Sequence, residues 1–257
     1  MQEKAAAGKA AVKITFSEPN PLGLIKRFAG NLSNLISRDF IKDRQNIKVK
    51  VGCGKTPEDI IELTKNNRES LETFNLSSYN SYKEDSLPKG LLNSLAACKN
   101  LHTLDFASNY ISDEGTQEIA DLVRENTTLE KLNLYNNNIG YKGAQAIAEA
   151  LKENTNSSLE ELSFGFNNIG DEGAEAIVKA SLKVLGLSSN NIGPKGALEI
   201  AGALEKSTGV TLKTLDLSLN DIDPETAQAI ADALGANKKS IIVIKENGLS
   251  IIKIMSS

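Results

Sequence analysis

The sequence predicts an α/β solenoid: a horseshoe of stacked coils with a parallel β-sheet on the inner curve and helices on the outer curve. Two observations carry that expectation. One is a recurring cassette, Leu129-x-x-Leu132-x-Leu134-x-x-Asn137-x-Ile139. It returns at Leu101/Leu104/Phe106/Asn109/Ile111, Leu159/Leu162/Phe164/Asn167/Ile169, Leu182/Leu185/Leu187/Asn190/Ile192 and Leu212/Leu215/Leu217/Asn220/Ile222. The opening leucines stand 28, 30, 23 and 30 residues apart, and a period of that size signals a stacked array. The other is a change of periodicity inside each copy, from alternation to the spacing of a helix face.

Within a copy, Leu132 and Leu134 point one way from a short strand and the residues beside them point the other. Asn109, Asn137, Asn167, Asn190 and Asn220 stand where the chain leaves the strand. A buried Asn amide offers both donors and an acceptor to neighbouring backbone, so stacked copies are expected to form an asparagine ladder. Downstream, Ala144, Ile147, Ala148 and Leu151 fall on one helix face, and the small alanines let that helix lie close to the sheet. A single copy buries its apolar side poorly, whereas stacking joins those sides into one core. Helices are wider than strands, so the stack bends.

The ends and two units depart from the pattern. Residues 1–70 read as an N-terminal cap of divergent units, 71–239 as the repeat array, and 240–257 as a C-terminal capping strand or hairpin. Val12–Phe16 and Ile47–Val51 alternate as strands, followed by helix-like sequence over Leu22–Ile36 and Pro57–Leu63. Thr56 suits a helix N-cap and Pro57 the first helical position. Tyr79 stands where a ladder asparagine belongs, with Asn80 one place late, so Ser77–Ser86 reads as a longer loop. The 23-residue spacing from Leu159 to Leu182 omits the usual connection, which predicts a short helix and a dent in the outer wall. At the other end, Glu246-Asn247-Gly248 between apolar runs is a hairpin signal. The run beginning at Ile241 also reads as a last strand in repeat register. An uncovered terminal strand pairs readily with another chain, so a monomer with weak self-association through the C-terminal edge is expected.

These motifs, over residues 71–249, resemble the leucine-rich repeats of the ribonuclease-inhibitor-like family. The resemblance implies a non-catalytic module that clasps a protein partner on its concave face. The alternating, cysteine-rich repeats of ribonuclease inhibitor itself are missing, so inhibition of a ribonuclease is not implied. Similar long repeats build the activator of the Ran GTPase, which makes regulation of a small GTPase the alternative. That family's long acidic tail is not found here, and no arginine falls at the inner-face positions. A Lys/Asn/Ile-rich array with degenerate ends also fits a bacterial effector acting inside a host cell.

Composition narrows the classes. A net charge of −4 gives no general attraction to nucleic acid or anionic lipid. No apolar run reaches the roughly 20 residues that cross a bilayer, and the N-terminal residues lack the apolar stretch of a secretory signal peptide. Cys53 and Cys98, in different units, read as buried thiols of a reducing compartment; a cytoplasmic setting, or a host cytoplasm for an effector, follows. Gly52-Cys53-Gly54-Lys55-Thr56 tempts as a phosphate loop, but the motif needs a glycine at the position of Val49. A turn and helix cap is the better reading. His102 is the only histidine, without partners for a triad or a metal site. No catalytic residue, metal or cofactor is assigned, and no enzyme activity is expected.

Register assigns the inner-face positions. His102 and Asp105 come from one coil, and Asn133, Tyr135 and Asn136 from the next. Glu160, Glu161 and Phe166 follow, with Asp216 and Leu219 in the last full copy. Tyr135 and Phe166 are aromatic where their equivalents are small, and they lie in adjacent coils. Exposed aromatics make good interface anchors; folding inward over a strand edge is the other reading. Acids outnumber bases on this face, which suits a basic or mixed protein partner rather than nucleic acid.

Overall fold

The structure is a computed structural model that describes residues 12–15, 47–51, 56–79, 87–206, 211–235, 241–246 and 249–254. The anticipated helix at 22–36, the segment 52–55 and Asn80 lie outside them. One sheet runs in chain order: β1 (Val12–Thr15), β2 (Ile47–Lys50), β3 (Leu71–Asn75), β4 (Thr103–Asp105), β5 (Lys131–Asn133), β6 (Glu161–Ser163), β7 (Val184–Gly186), β8 (Thr214–Asp216), β9 (Ile241–Glu246) and β10 (Leu249–Ile254). Strands β1 to β9 are parallel, and β10 returns antiparallel on β9. The C-terminal run is therefore both the last parallel strand and the first arm of a hairpin, so the two sequence readings describe one element.

Register explains the recurrence of leucine. Ile14, Val49, Phe74, Leu104, Leu132, Leu162, Leu185, Leu215 and Ile242 pair strand to strand in one row. Where side chains are described, every member of that row is buried. The pleat then turns the flanking residues to the opposite face.

The asparagines close the turn after each strand. Nδ2 of Asn137 donates to the carbonyls of Phe106 in the preceding coil (3.1 Å) and Leu134 in its own (3.0 Å), while its Oδ1 accepts from the amides of Asn109 (2.9 Å) and Ile111 (3.0 Å). Asn167 donates to Leu134 and Phe164 and accepts from Ile139. Asn190 donates to Phe164, and Asn220 to Leu187 and Leu217, accepting from Asn190 and Ile192. Asn109 begins the series on Leu76 and Phe106. In the preceding coil Tyr79 takes the asparagine's place and packs half-buried against the core.

Seven helices among the described residues cover the other side: α1 (Pro57–Asn66), α2 (Leu91–Ala96), α3 (Asp113–Glu125), α4 (Tyr141–Glu153), α5 (Gly170–Val178), α6 (Pro194–Lys206) and α7 (Pro224–Gly235). Thr56 starts α1 with a capping box: its Oγ1 accepts from the Asp59 amide, and Asp59 Oδ2 accepts from the Thr56 amide, each at 3.2 Å. On α4 the buried residues are Gly143, Ala144, Ala146, Ile147 and Ala150, with Ala148 and Leu151 half-buried. That buried face is rotated by part of a turn from the face drawn from sequence, because α4 is also packed against α3 and α5.

Close approach in this layer depends on glycine. Asp113 Oδ1 accepts the amides of Gly140 (2.7 Å) and Gly143 (2.8 Å) in the next coil, and Asp171 Oδ1 accepts that of Gly193 (2.8 Å). A Cβ on Gly196 would lie 2.3 Å from Asp171 Oδ1 and 2.8 Å from its Cα. An aspartate on one coil thus caps the helix start of the next, and a glycine makes room for it. Helix α5 has 9 residues where α3, α4 and α6 have 13, leaving a recess of about 740 Å³ between α4 and α5. That is the dent implied by the short repeat.

Asn137→Ala removes a partner from two buried amides and three carbonyls, and is expected to cost about 3 kcal/mol in urea unfolding. Gly196→Ala gains helix propensity of about 1 kcal/mol but meets backbone. It is expected to lower the unfolding midpoint, whereas the same change at Gly202, with open space around it, should raise it.

Candidate interaction surface on the sheet face

The short strands deliver a polar floor. Asp105 Oδ1 accepts from the Ala107 amide and from Asn133 Nδ2, each at 3.0 Å, and its Oδ2 accepts from Asn75 Nδ2 at 2.7 Å. Asn133 Oδ1 in turn takes the Tyr135 amide (3.1 Å), and Asn136 Nδ2 donates to Ser108 Oγ (3.0 Å). Asp216 Oδ1 accepts both the amide and the hydroxyl of Ser218. These carboxylates and amides hold the exit of each strand in shape, so they are positioned before any partner arrives.

Charge on this face is less acidic than composition suggests. Glu161 pairs with Lys131 at 2.7 Å, and Glu160 pairs with Lys183. Both pairs are solvent-exposed and each contributes at most about 1 kcal/mol, but they cancel most of the charge of the two adjacent glutamates. His102 lies one residue before β4, half-buried, with Nδ1 on the Asn100 carbonyl. A ring nitrogen facing a carbonyl must carry the proton. Among the described residues no group of three metal-ligating side chains assembles around it or elsewhere.

The two aromatics meet. The rings of Tyr135 and Phe166 are 5.0 Å apart between centroids and tilted by 46°, while remaining 38% and 43% exposed. Gly165 permits this arrangement, since a Cβ there would come within 3.0 Å of Tyr135 Cδ2. Neither ring folds into the core.

Sequence reasoning missed the backbone at the residue preceding each ladder position. After β3 to β8 that residue is left-handed: Ser78, Ser108, Asn136, Phe166, Ser189 and Leu219 have φ between 51° and 60°. The amides of Ser108, Asn136, Phe166 and Ser189 each make a last bond to the next coil, to Tyr135, Gly165, Ser188 and Ser218. The chain then reverses so that the asparagine points inward. Serine and asparagine tolerate this region better than bulky apolar residues. Phe166 and Leu219 therefore occupy strained positions and project outward, Leu219 being 63% exposed. The clue in the sequence was two large apolar residues in a column otherwise Ser or Asn.

Burial pushes the Cys98 thiol up to about 11, and its Sγ faces the carbonyl of Ser94 at 3.5 Å. No helix among the described residues is long and apolar enough to cross a membrane.

Leu219→Asn is expected to raise stability by on the order of 1 kcal/mol by relieving the left-handed strain. A higher melting temperature in calorimetry would show that leucine stands there at a cost to the fold; a lower one would show that it packs.

Comparison with known proteins bears on the coils themselves. Residues 97–120, 125–148, 155–178, 179–201 and 210–231 match the leucine-rich repeat family. No curated protein matches the chain. Among solved structures it is similar to one titled actin-binding site 2 of leiomodin-1, with 23% identity, a TM-score of 0.44, and 72% of this chain and 91% of that one covered. It is also similar to a tropomodulin C-terminal domain from Caenorhabditis elegans, with 13% identity, a TM-score of 0.45, and 71% and 93% covered. With five tandem copies stacked in register across residues 97–231, the chain is a leucine-rich repeat protein.

Proposed function

We propose that the chain is a non-catalytic recognition module that holds a protein partner on the concave face of its sheet. The observation that carries this reading is the exposed Tyr135–Phe166 pair at the middle of that face. Two large rings, fixed by mutual contact and by the shape of Gly165, present apolar area with little rotamer entropy left to lose, which is what interface anchors supply. Around them Asn133, Asn136, Asp105 and Asp216 offer oriented polar groups, and Glu160 and Glu161 form a charged rim with their lysines. The divergent coils before residue 71 and the hairpin β9–β10 serve as caps on the array. The ribonuclease-inhibitor-like subfamily, a cytoplasmic setting and a role as an effector in a host cell belong to the same proposal.

Affinity capture from cell lysate with the intact chain tests it. Tyr135→Ala combined with Phe166→Ala is expected to weaken capture of specific partners by about 10-fold or more, since paired aromatic hot spots commonly carry 2 kcal/mol or more. The melting temperature should change little. Unaltered capture by the double variant would overturn the anchor assignment, and acceleration of GTP hydrolysis when small GTPases are assayed with the chain would favour the GTPase-regulator reading.

A further inference from the structure

The left-handed column gives the concave face one feature beyond the aromatic pair. Phe166, Ser189 and Leu219 are equivalent residues of three successive coils, with φ of 57°, 51° and 58°. Adjacent strands lie about 4.8 Å apart, so the α-carbons of Phe166 and Leu219 are separated by roughly 10 Å. Ser189, short and partly buried, stands between them. Two exposed apolar residues with a small polar one between them outline a slot over Ser189. Tyr135 braces the Phe166 wall from the outside.

The Leu219 wall is acidic. Asp216 lies three residues before it, and Asp221, which is exposed, two residues after it. Neither forms an ion pair among the described residues. Asp223 is occupied differently: the amide of Thr226, and then its hydroxyl, bond to its carboxylate and hold it below the usual range. Among the described residues, Lys183 in the neighbouring coil is taken by Glu160, and Lys213 stands at the start of β8. The slot is apolar inside, and the two carboxylates along one side form no ion pair among the described residues.

We propose that this slot, on the concave face already assigned to partner binding, receives one bulky apolar side chain of a protein segment that carries lysine or arginine next to it. The apolar side chain fills the space over Ser189 between Phe166 and Leu219, and the adjacent cation reaches Asp216 and Asp221. The leucine and phenylalanine keep strained backbone conformations because solvent-facing apolar walls at those two positions make the slot. Asparagine there would ease the backbone and remove the walls.

The test is selection of a displayed random-peptide library on the intact chain, followed by titration of the recovered peptides in synthetic form. Recovered sequences should share a bulky apolar residue with lysine or arginine within two positions. Leu219→Ser should weaken them about 10-fold, equivalent to the loss of one buried aliphatic side chain, without lowering the melting temperature. Asp221→Lys should weaken them in low salt and less so in high salt. Peptides lacking that pattern, no recovered peptides, or equal affinity for the wild type and Leu219→Ser each overturn the slot. Peptides that need Tyr135 and Phe166 but not Leu219 or Asp221 overturn the slot and leave the concave-face reading standing.

Discussion

The structure depends on satisfying the backbone where each coil leaves the sheet. At that corner amides and carbonyls are buried and no longer paired strand to strand, and an unpaired buried polar group costs about 1–3 kcal/mol. In five coils one asparagine resolves this. Its amide nitrogen bridges carbonyls of two coils, and its oxygen accepts amides from the preceding one. The bonds run across the repeat as well as within it, so the corner of one coil is correct only when its neighbour is in place. That coupling is the physical basis for stacking as a cooperative array rather than as independent units.

The same corner imposes the chemistry of the exposed face. To aim the asparagine inward, the residue before it must adopt positive φ, and its side chain is thrown toward solvent. The column of such residues runs one position ahead of the ladder and continues to Ser78, where Tyr79 replaces the asparagine. Most coils fill it with serine or asparagine, which suit the backbone. Phe166 and Leu219 do not, and a large exposed residue at a position whose backbone disfavours it invites a functional explanation. On the proposed reading, recognition falls on positions the scaffold already holds rigid.

On the other side of the sheet, the limit is how closely helices can lie. Glycine at the third residue of α4 and α6 admits the aspartate of the preceding coil, and alanine beneath Ile147 and Ile200 keeps the layer thin. Where the connection is shortened after α5, the corner bonds still form on the inner side: Asn190 donates to Phe164 across the short repeat at 2.9 Å. The sheet keeps its spacing, and the defect is expressed wholly as a recess in the outer wall.

The spacing of leucines and asparagines was enough to determine the coil count over residues 101–222, the parallel sheet and the short helix, because each rests on a local pattern repeated at a fixed interval. The positions of Tyr135 and Phe166 on one face were legible for the same reason, since alternation along a strand needs no knowledge of neighbours. Tertiary structure decided what alternation does not encode. The rings touch because Gly165 in the next coil has no side chain. Glu160 and Glu161 lose their apparent excess charge because lysines on the strands to either side lie opposite them. Phe166 stands out because a hydrogen bond to the adjacent coil and an inward asparagine accompany a left-handed backbone, and Leu219 repeats that conformation before Asn220. Each of these depends on contact between coils 23–30 residues apart, a distance over which sequence pattern records periodicity but not the geometry of touching.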